Sequence, residues 1–262
     1  MKVVVIGGSG LIGSRLVGRL RHGGHEVVAA SPASGINTVT GDGLPEAMEG
    51  TSVVIDASNS PSLDDAGARQ FFYTSGNNLV AVERAAKVDH HIVLSIVGTD
   101  RLRDSGYYRA KLIQEQLVRE SELPHTIVRS TQFFEFLDGI AGFSTVDRIV
   151  RLPPASVQPV AADDVVDALA NLAVQAPING IVEIAGPHSF RLNGIVERVL
   201  AAKFDDRLVI ADPDARYFGA VLDDTMLVPA GTAVIAPTSF EDWLNRTVPM
   251  VMMGRPELRP AR

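Results

Sequence analysis

The sequence has no cysteine, and that absence removes disulfide cross-links, thiolate nucleophiles and cysteine-ligated metal from consideration. It suits a reducing cytoplasm, which is the expected location. Long apolar runs are missing as well. The first, VVVIGGSGLIG, is broken by glycines far short of the about 20 residues that cross a bilayer. A single lysine precedes it, so neither a signal peptide nor a membrane partner is expected. Basic runs never exceed two residues, and with a net charge of −7 and a pI near 5.4 no nucleic-acid partner is expected. Arginine is concentrated only in the tail GRPELRPAR, which reads as a disordered end. No internal repeat or low-complexity segment is present.

What is there is a chain of 262 residues, 46% hydrophobic, enough for one large α/β domain or a core domain with a smaller appendage. Residues 2–6 form a continuous β-branched run, the pattern of a strand buried on both faces, and 11–21 carry apolar residues at helical spacing. Further strands are expected at 26–30, 37–40, 52–55, 91–96 and 126–128, with helices at about 65–87 and 106–122. Strands separated by helices specify a doubly wound parallel sheet with right-handed crossovers. After about residue 132 the rhythm loosens into QFFEF and LPPASVQP. A helix at about 163–175 and a short strand at 180–186 follow. The expected division is 1–186 for the sheet domain, with cap elements inserted at about 132–160, and 187–262 for a small cap over the sheet's carboxyl edge, where such folds bind ligands.

Gly7, Gly10 and Gly13 stand three apart in GGSGLIG, directly after the first strand and opening the first helix. One glycine serves the tight turn, one lets the backbone approach a pyrophosphate, and one lets helix and strand pack closely. At the end of the second strand an acid would accept from the ribose 2′-hydroxyl of NAD, but the sequence reads VVAASPASG. Ser31 and Ser34 offer donors suited to a 2′-phosphate, so NADP is preferred and NAD is possible. Asp42 could touch the adenine or cap a helix.

In a chain with four tyrosines and four lysines, GYYRAK places Tyr107 and Lys111 on one helical face, four residues apart. The helix follows a strand of the dinucleotide sheet, at the edge where a nicotinamide would lie. A neighbouring ammonium favours a phenolate, moving Tyr107 toward a range where it can exchange a proton with a carbonyl or hydroxyl oxygen. Packing of Tyr107 on cofactor or cap is the competing role, and Tyr108 reads as packing or substrate wall.

On GGSGLIG, GNNLVAVERAAKV leading to HIVLSIVGTD, YYRAK, TIVRSTQFFEF and PVAADDVVDAL with GIVEIAGP, nearly the whole chain resembles the short-chain dehydrogenase/reductase superfamily. The likeness is to its atypical NmrA-like and quinone-oxidoreductase-like branch. It implies a Rossmann fold with a small C-terminal substrate-binding cap. By the resemblance, Gly7, Ser9, Gly10, Leu11, Ile12 and Gly13 hold the pyrophosphate end of the cofactor, and Ala57 and Ser58 lie against it. Lys111 then binds the nicotinamide ribose, and Thr131, Gln132 and Phe133 line the nicotinamide. Tyr107 is the implied catalytic acid and Ser95 the hydroxyl orienting the substrate oxygen, although Ile96 and Val97 follow it where active relatives carry a Ser/Thr cluster. The implied function is NAD(P)H-dependent reduction of a small carbonyl or quinone-like substrate by a monomer or homodimer. The alternatives are a dinucleotide-binding redox sensor without catalysis and a nucleotide-sugar epimerase or dehydratase.

Three other features carry blander readings. His22 and His25, and the pair His90 and His91, lack carboxylate partners at ligand spacing, so no metal site is expected. Asp163 and Asp164 precede an apolar helical run and read as N-capping residues. Phe133, Phe134 and Phe136 read mostly as core, with at least one walling a pocket.

Overall fold

The computed structural model describes residues 1–247; the arginine-rich tail at 254–262 lies outside them. The first unit is β1 (Lys2–Ile6), a glycine turn and α1 (Leu11–His22), followed by β2 (Glu26–Ala30), α2 (Leu44–Met48) and β3 (Val53–Asp56). Then come α3 (Asp65–Ala86), β4 (His90–Ile96), α4 (Gly106–Glu120) and β5 (His125–Ser130). Val3, Val4 and Val5 are fully buried because β1 lies inside the sheet with helices over both faces.

The expected strand at 37–40 is absent. Asn37 Oδ1 accepts from the Val39 N–H at 2.9 Å, and Asn78 Nδ2 on α3 donates to the Thr38 and Val39 carbonyls. A side chain that feeds its own turn competes with sheet pairing, and Gly41 and Gly43, both at positive φ, bend the chain onward. Asp42 stays in this loop and accepts from Thr40 Oγ1 at 2.6 Å, while Gly43 occupies the position before α2.

Past β5 lie α5 (Leu137–Phe143), β6 (Thr145–Val146), β7 (Ile149–Leu152), β8 (Ser156–Val157), α6 (Ala162–Ala173) and β9 (Gly180–Ala185). The remainder is β10 (Phe190–Arg191), α7 (Leu192–Ala202), β11 (Leu208–Ala211), β12 (Val234–Ile235) and α8 (Phe240–Thr247). The central sheet has seven strands in the order β12-β9-β5-β4-β3-β1-β2, every neighbouring pair parallel. α1 and α6 cover one face, and α2, α3 and α4 the other. β6, β7 and β11 form a small second sheet, and β8 pairs with β10. β12 returns to the central sheet beside β9, so the segment after residue 186 does not stay wholly in the cap.

Asp163 and Asp164 sit in the first turn of α6 rather than at its cap. The free Ala162 N–H is met by the Glu135 carboxylate, leaving Asp163 to pair with Arg15 at 2.7 Å and Asp164 to accept from Thr238 Oγ1 at 2.9 Å. His90 and His91 serve the core: His91 Nδ1 lies 2.7 Å from Glu83 Oε2, and His90 Nε2 2.8 Å from Thr126 Oγ1, whereas His22 is exposed and His25 half-buried.

α4 is held in place from both ends. At its start Gly106 lies so close to α3 that a Cβ there would approach the Asp65 Cβ to 2.5 Å, which explains the glycine ahead of the two tyrosines. Further along, Glu115 is wholly buried. Its carboxylate accepts from Arg129 Nε at 2.9 Å and Nη2 at 2.7 Å, and from Ser95 Oγ at 2.6 Å, tying α4 to β5 and β4. Glu115→Ala would leave the Arg129 guanidinium buried with Asp100 alone. Urea denaturation is therefore expected to show a loss of about 3–5 kcal/mol; a loss under 1 kcal/mol would mean the pair is dispensable.

Candidate functional site

The carboxyl edge of the central sheet opens into a cleft of about 660 Å³. One end is the glycine turn: Gly7, Ser9, Gly10, Leu11 and Ile12 line it, while Gly13 lies beneath. A Cβ on Gly13 would run into the Gly7 carbonyl, and one on Gly7, whose φ is +74°, would sit 2.8 Å from the Ala57 carbonyl oxygen. The glycines therefore let the turn lie flat between β1, β3 and α1, with the amino end of α1 facing the cleft.

Ser31 also lines the cleft, but Ser34 does not. The Ser34 hydroxyl is spent inside a tight turn, accepting from the Ser31 N–H at 3.0 Å and lying 2.9 Å from the Ala29 carbonyl. Beside Ser31 stand Pro32, Ile36, Asn37, Thr38 and Val39, with no charge of either sign. Ala57 and Ser58, following β3, form the opposite wall. Asp56 fixes that bend, accepting from the Ser58 N–H at 2.9 Å and from Gln114 Nε2 at 2.6 Å.

At the far end Lys111 is buried against Phe72, with Nζ 4.7 Å from the ring centroid. It donates to the Leu94 carbonyl at 2.8 Å and to Gln114 Oε1, so Gln114 links the ammonium to the Asp56 carboxylate. Burial lowers the Lys111 pKa from 10.5 to about 8, against the opposing pull of Asp56 and Glu115.

The expected help from Lys111 to the Tyr107 phenol is not what the structure arranges. Burial pushes Tyr107 well above its ordinary value of 10, and Tyr108 adds to the rise, opposed by Asn59. The Tyr107 hydroxyl donates to Asn59 Oδ1 at 2.7 Å, a partner 48 residues away that the sequence reading passed over. Tyr108 is buried, its hydroxyl accepting from Gln132 Nε2 at 3.3 Å, and burial raises it to about 12.

Ser95 reaches the cleft wall, yet its hydroxyl is committed to Glu115 and lies 3.3 Å from Thr99 Oγ1. Alternation along β4 explains this: Val93 and Ser95 face α4, whereas Ile92 faces α1 and α6. Phe133 lines the cleft, but Thr131 and Gln132 do not. They line an adjoining chamber of about 360 Å³ walled by Phe136, Tyr107, Tyr108, Tyr217 and Phe218. The cleft and chamber meet at Asn59, Pro61, Ile96, Tyr107, Ser130, Phe133 and Phe136, which border both. Phe134 points instead into the cap core. No group of three or more His, Asp or Glu side chains among the described residues could hold a metal ion. Likewise, no helix there is long and apolar enough to cross a membrane.

The family model described as NAD(P)H-binding matches residues 7–175. The chain is 25% identical over 215 residues to the photosystem II assembly factor Ycf39 of Cyanophora paradoxa, covering 75% of this chain and 67% of that protein. Against Ycf39 of Synechocystis it is 26% identical over 158 residues, covering 53% and 47%. These alignments span about half to two thirds of the relatives' own length. Among solved structures, the dTDP-4-dehydrorhamnose reductase of Bacillus anthracis in complex with NADP superposes with a TM-score of 0.70 at 14% identity, over 94% of this chain and 97% of that one. The likeness establishes a common fold.

The buried ammonium has a measurable consequence. Between pH 8 and 10.5 the unfolded chain holds the Lys111 proton and the folded chain has released it, so folding stability rises with pH across that window. The wild type is expected to gain in urea midpoint relative to Lys111→Met between pH 7.5 and 10. A difference that does not change with pH would contradict the lowered value.

Proposed function

The chain belongs to the NAD(P)H-binding family, within the short-chain dehydrogenase/reductase superfamily, and from that premise we propose that it reduces a small carbonyl or quinone-like compound. The observation that carries this reading is the continuity of the site: one cleft runs from the glycine turn to Tyr107 and Lys111 and opens there into an aromatic chamber. The glycine cradle fits a dinucleotide, because a Cβ at Gly7 would meet Ala57 and Ser58 and one at Gly13 would meet the Gly7 carbonyl, so glycine alone lets the turn lie this close to β3 and α1. Gly7, Ser9, Gly10, Leu11 and Ile12 would hold the pyrophosphate end, Ala57 and Ser58 the middle, and Lys111 the nicotinamide ribose. When bound, the nicotinamide supplies a hydride.

The protein's own part is to exclude water, orient the acceptor oxygen and deliver a proton. Tyr107 carries its proton at neutral pH, as a general acid must, and burial makes the phenol a weaker acid than a free one. Asn59 holds that proton until a better acceptor arrives. A quinone acceptor would depend less on the phenol than a carbonyl does. The uncharged cleft wall at Ser31 to Val39 supports use of both cofactors, with NADPH preferred because no acid repels its 2′-phosphate. The reading includes a cytoplasmic protein, monomer or homodimer, acting on a small molecule.

A second reading, a dinucleotide-dependent sensor or assembly protein of the NmrA-like kind without turnover, draws on the relatives named as assembly factors and on hydroxyls committed to Asn59 and Glu115. A nucleotide-sugar enzyme is less well supported, because the chamber of about 360 Å³ leaves little room for a second nucleotide.

Stopped-flow NADPH oxidation over a panel of carbonyls and quinones tests the first reading, and no turnover with any member would sink it. Tyr107→Phe is expected to keep NADPH affinity within about twofold while carbonyl reduction falls about 10²-fold; unchanged reduction would make Tyr107 scaffold. Fluorescence titration is expected to find NADPH bound more tightly than NADH, by less than about tenfold. A larger ratio would require a charged contact that the cleft wall lacks.

A further inference from the structure

We propose that Ser130, rather than Ser95, is the hydroxyl that orients the substrate oxygen beside Tyr107. The inference rests on the reductase reading above and goes beyond it by assigning a residue in direct contact with substrate.

The argument begins with the position of the two serines across the sheet. Ile96 and Ser130 are register partners on β4 and β5, at the carboxyl ends of neighbouring parallel strands. Side chains alternate along a strand. Arg129 faces Glu115 on α4, as Ser95 does, whereas Val128 packs toward α1 and α6. By the same alternation Ser130 follows Val128 onto the face of the glycine turn.

Of the seven residues bordering both cleft and chamber, three have polar side chains: Asn59, Tyr107 and Ser130. Asn59 and Tyr107 satisfy one another. The Ser130 hydroxyl makes no hydrogen bond to another described residue and is not among the sealed, unpaired polar atoms. The other four residues that border both cavities, Pro61, Ile96, Phe133 and Phe136, are apolar, so a hydrogen bond offered at this junction faces little competition from water. Ser95, by contrast, spends its proton on a buried carboxylate at 2.6 Å, an acceptor stronger than a neutral carbonyl oxygen.

In a carbonyl reduction, bound NAD(P)H would supply a hydride to the carbonyl carbon, being oxidised in exchange, and the π pair would move to oxygen. That oxygen would take the Tyr107 proton, leaving a phenolate that regains its proton from water. Ser130 keeps its own proton throughout. It donates a hydrogen bond to the oxygen as charge develops, and an interaction that strengthens toward the transition state lowers the barrier.

The test compares Ser130→Ala and Ser95→Ala in the full-length protein. Turnover is followed with benzaldehyde and phenanthrenequinone, and binding of 1-phenylethanol and benzaldehyde is followed by calorimetry with and without NADP⁺. Ser130→Ala is expected to lower kcat/KM for benzaldehyde by about tenfold or more, chiefly through kcat. It should also weaken 1-phenylethanol binding by about threefold or more, as one lost hydrogen bond does, while the thermal unfolding temperature and NADPH affinity stay at wild-type values.

Wild-type behaviour of Ser130→Ala in both turnover and binding overturns the proposal. So does the reverse pattern, in which Ser95→Ala carries the loss, or a wild type that binds neither probe. If no compound oxidises NADPH but Ser130→Ala still weakens probe binding, the reductase reading fails and Ser130 stands as the ligand-orienting hydroxyl.

Discussion

The buried carboxylate of Glu115 is the interaction on which the site's geometry depends. Placing that charge between α4 and the sheet is tolerable only because Arg129 meets it with two nitrogens and Ser95 with a hydroxyl. The result is a fixed relation between α4 and the carboxyl ends of β4 and β5. Tyr107 and Lys111 ride on the same helix, so their approach to the cleft is set by this contact and by the close packing of Gly106 against Asp65. Stability and chemistry are coupled here. The Ser95 hydroxyl that secures the carboxylate is committed to it, and the serine hydroxyl at the junction of cleft and chamber comes from the neighbouring strand.

The same economy governs charge in the cleft. Among the described residues Lys111 is the only cation lining it, and Gln114 lies between the ammonium and the Asp56 carboxylate. An amide bridge passes hydrogen bonding from one charge to the other without direct contact, so Asp56 still raises the Lys111 pKa while burial lowers it. Asp56 also holds the bend at Ser58 against which a cofactor would lie. A dinucleotide carries two or more negative charges into this cleft. Among the described residues, the backbone N–H groups at the glycine turn and one buried ammonium would therefore have to offset them, since no arginine there lines the cleft.

Much of this could be read from the chain, because it is written in local patterns. The glycine spacing after β1, the buried apolar run of β1 itself and the four-residue spacing of Tyr107 and Lys111 need no knowledge of distant residues. The expected strand at 37–40 failed for an equally local reason that was overlooked: Asn37 and two glycines at positive φ encode a turn. What could not be read depends on partners far apart in sequence. Asn59 meets Tyr107 across 48 residues, Glu115 meets Ser95 across 20, and Glu135 rather than Asp163 serves the start of α6 across 27. Ser95 and Ser130 belong with these: alternation within a strand assigns them to opposite faces only once the register of β4 and β5 is known, because both strands are buried on both faces.

The cap contributes shape without adding charge to the chamber. Its aromatic wall is continuous with the cap core: Tyr108 packs edge-on to Tyr217, which in turn meets Phe218. Phe218 has a φ of +46°, an uncommon conformation for a bulky residue, within the tight turn where Tyr217 and Ala220 pair. That turn holds its ring against Phe136, Phe143 and Tyr107 at the chamber mouth. The polar groups bordering both cavities, in contrast, all come from the sheet side, on the segment after β3, on α4 and at the end of β5. On the reductase reading, ligand shape and reaction chemistry are thus carried by different layers of the fold. Substitutions in the turn at 217–220 can change which ring fits, and they reach the polar groups of the junction through the Phe218 contact with Tyr107.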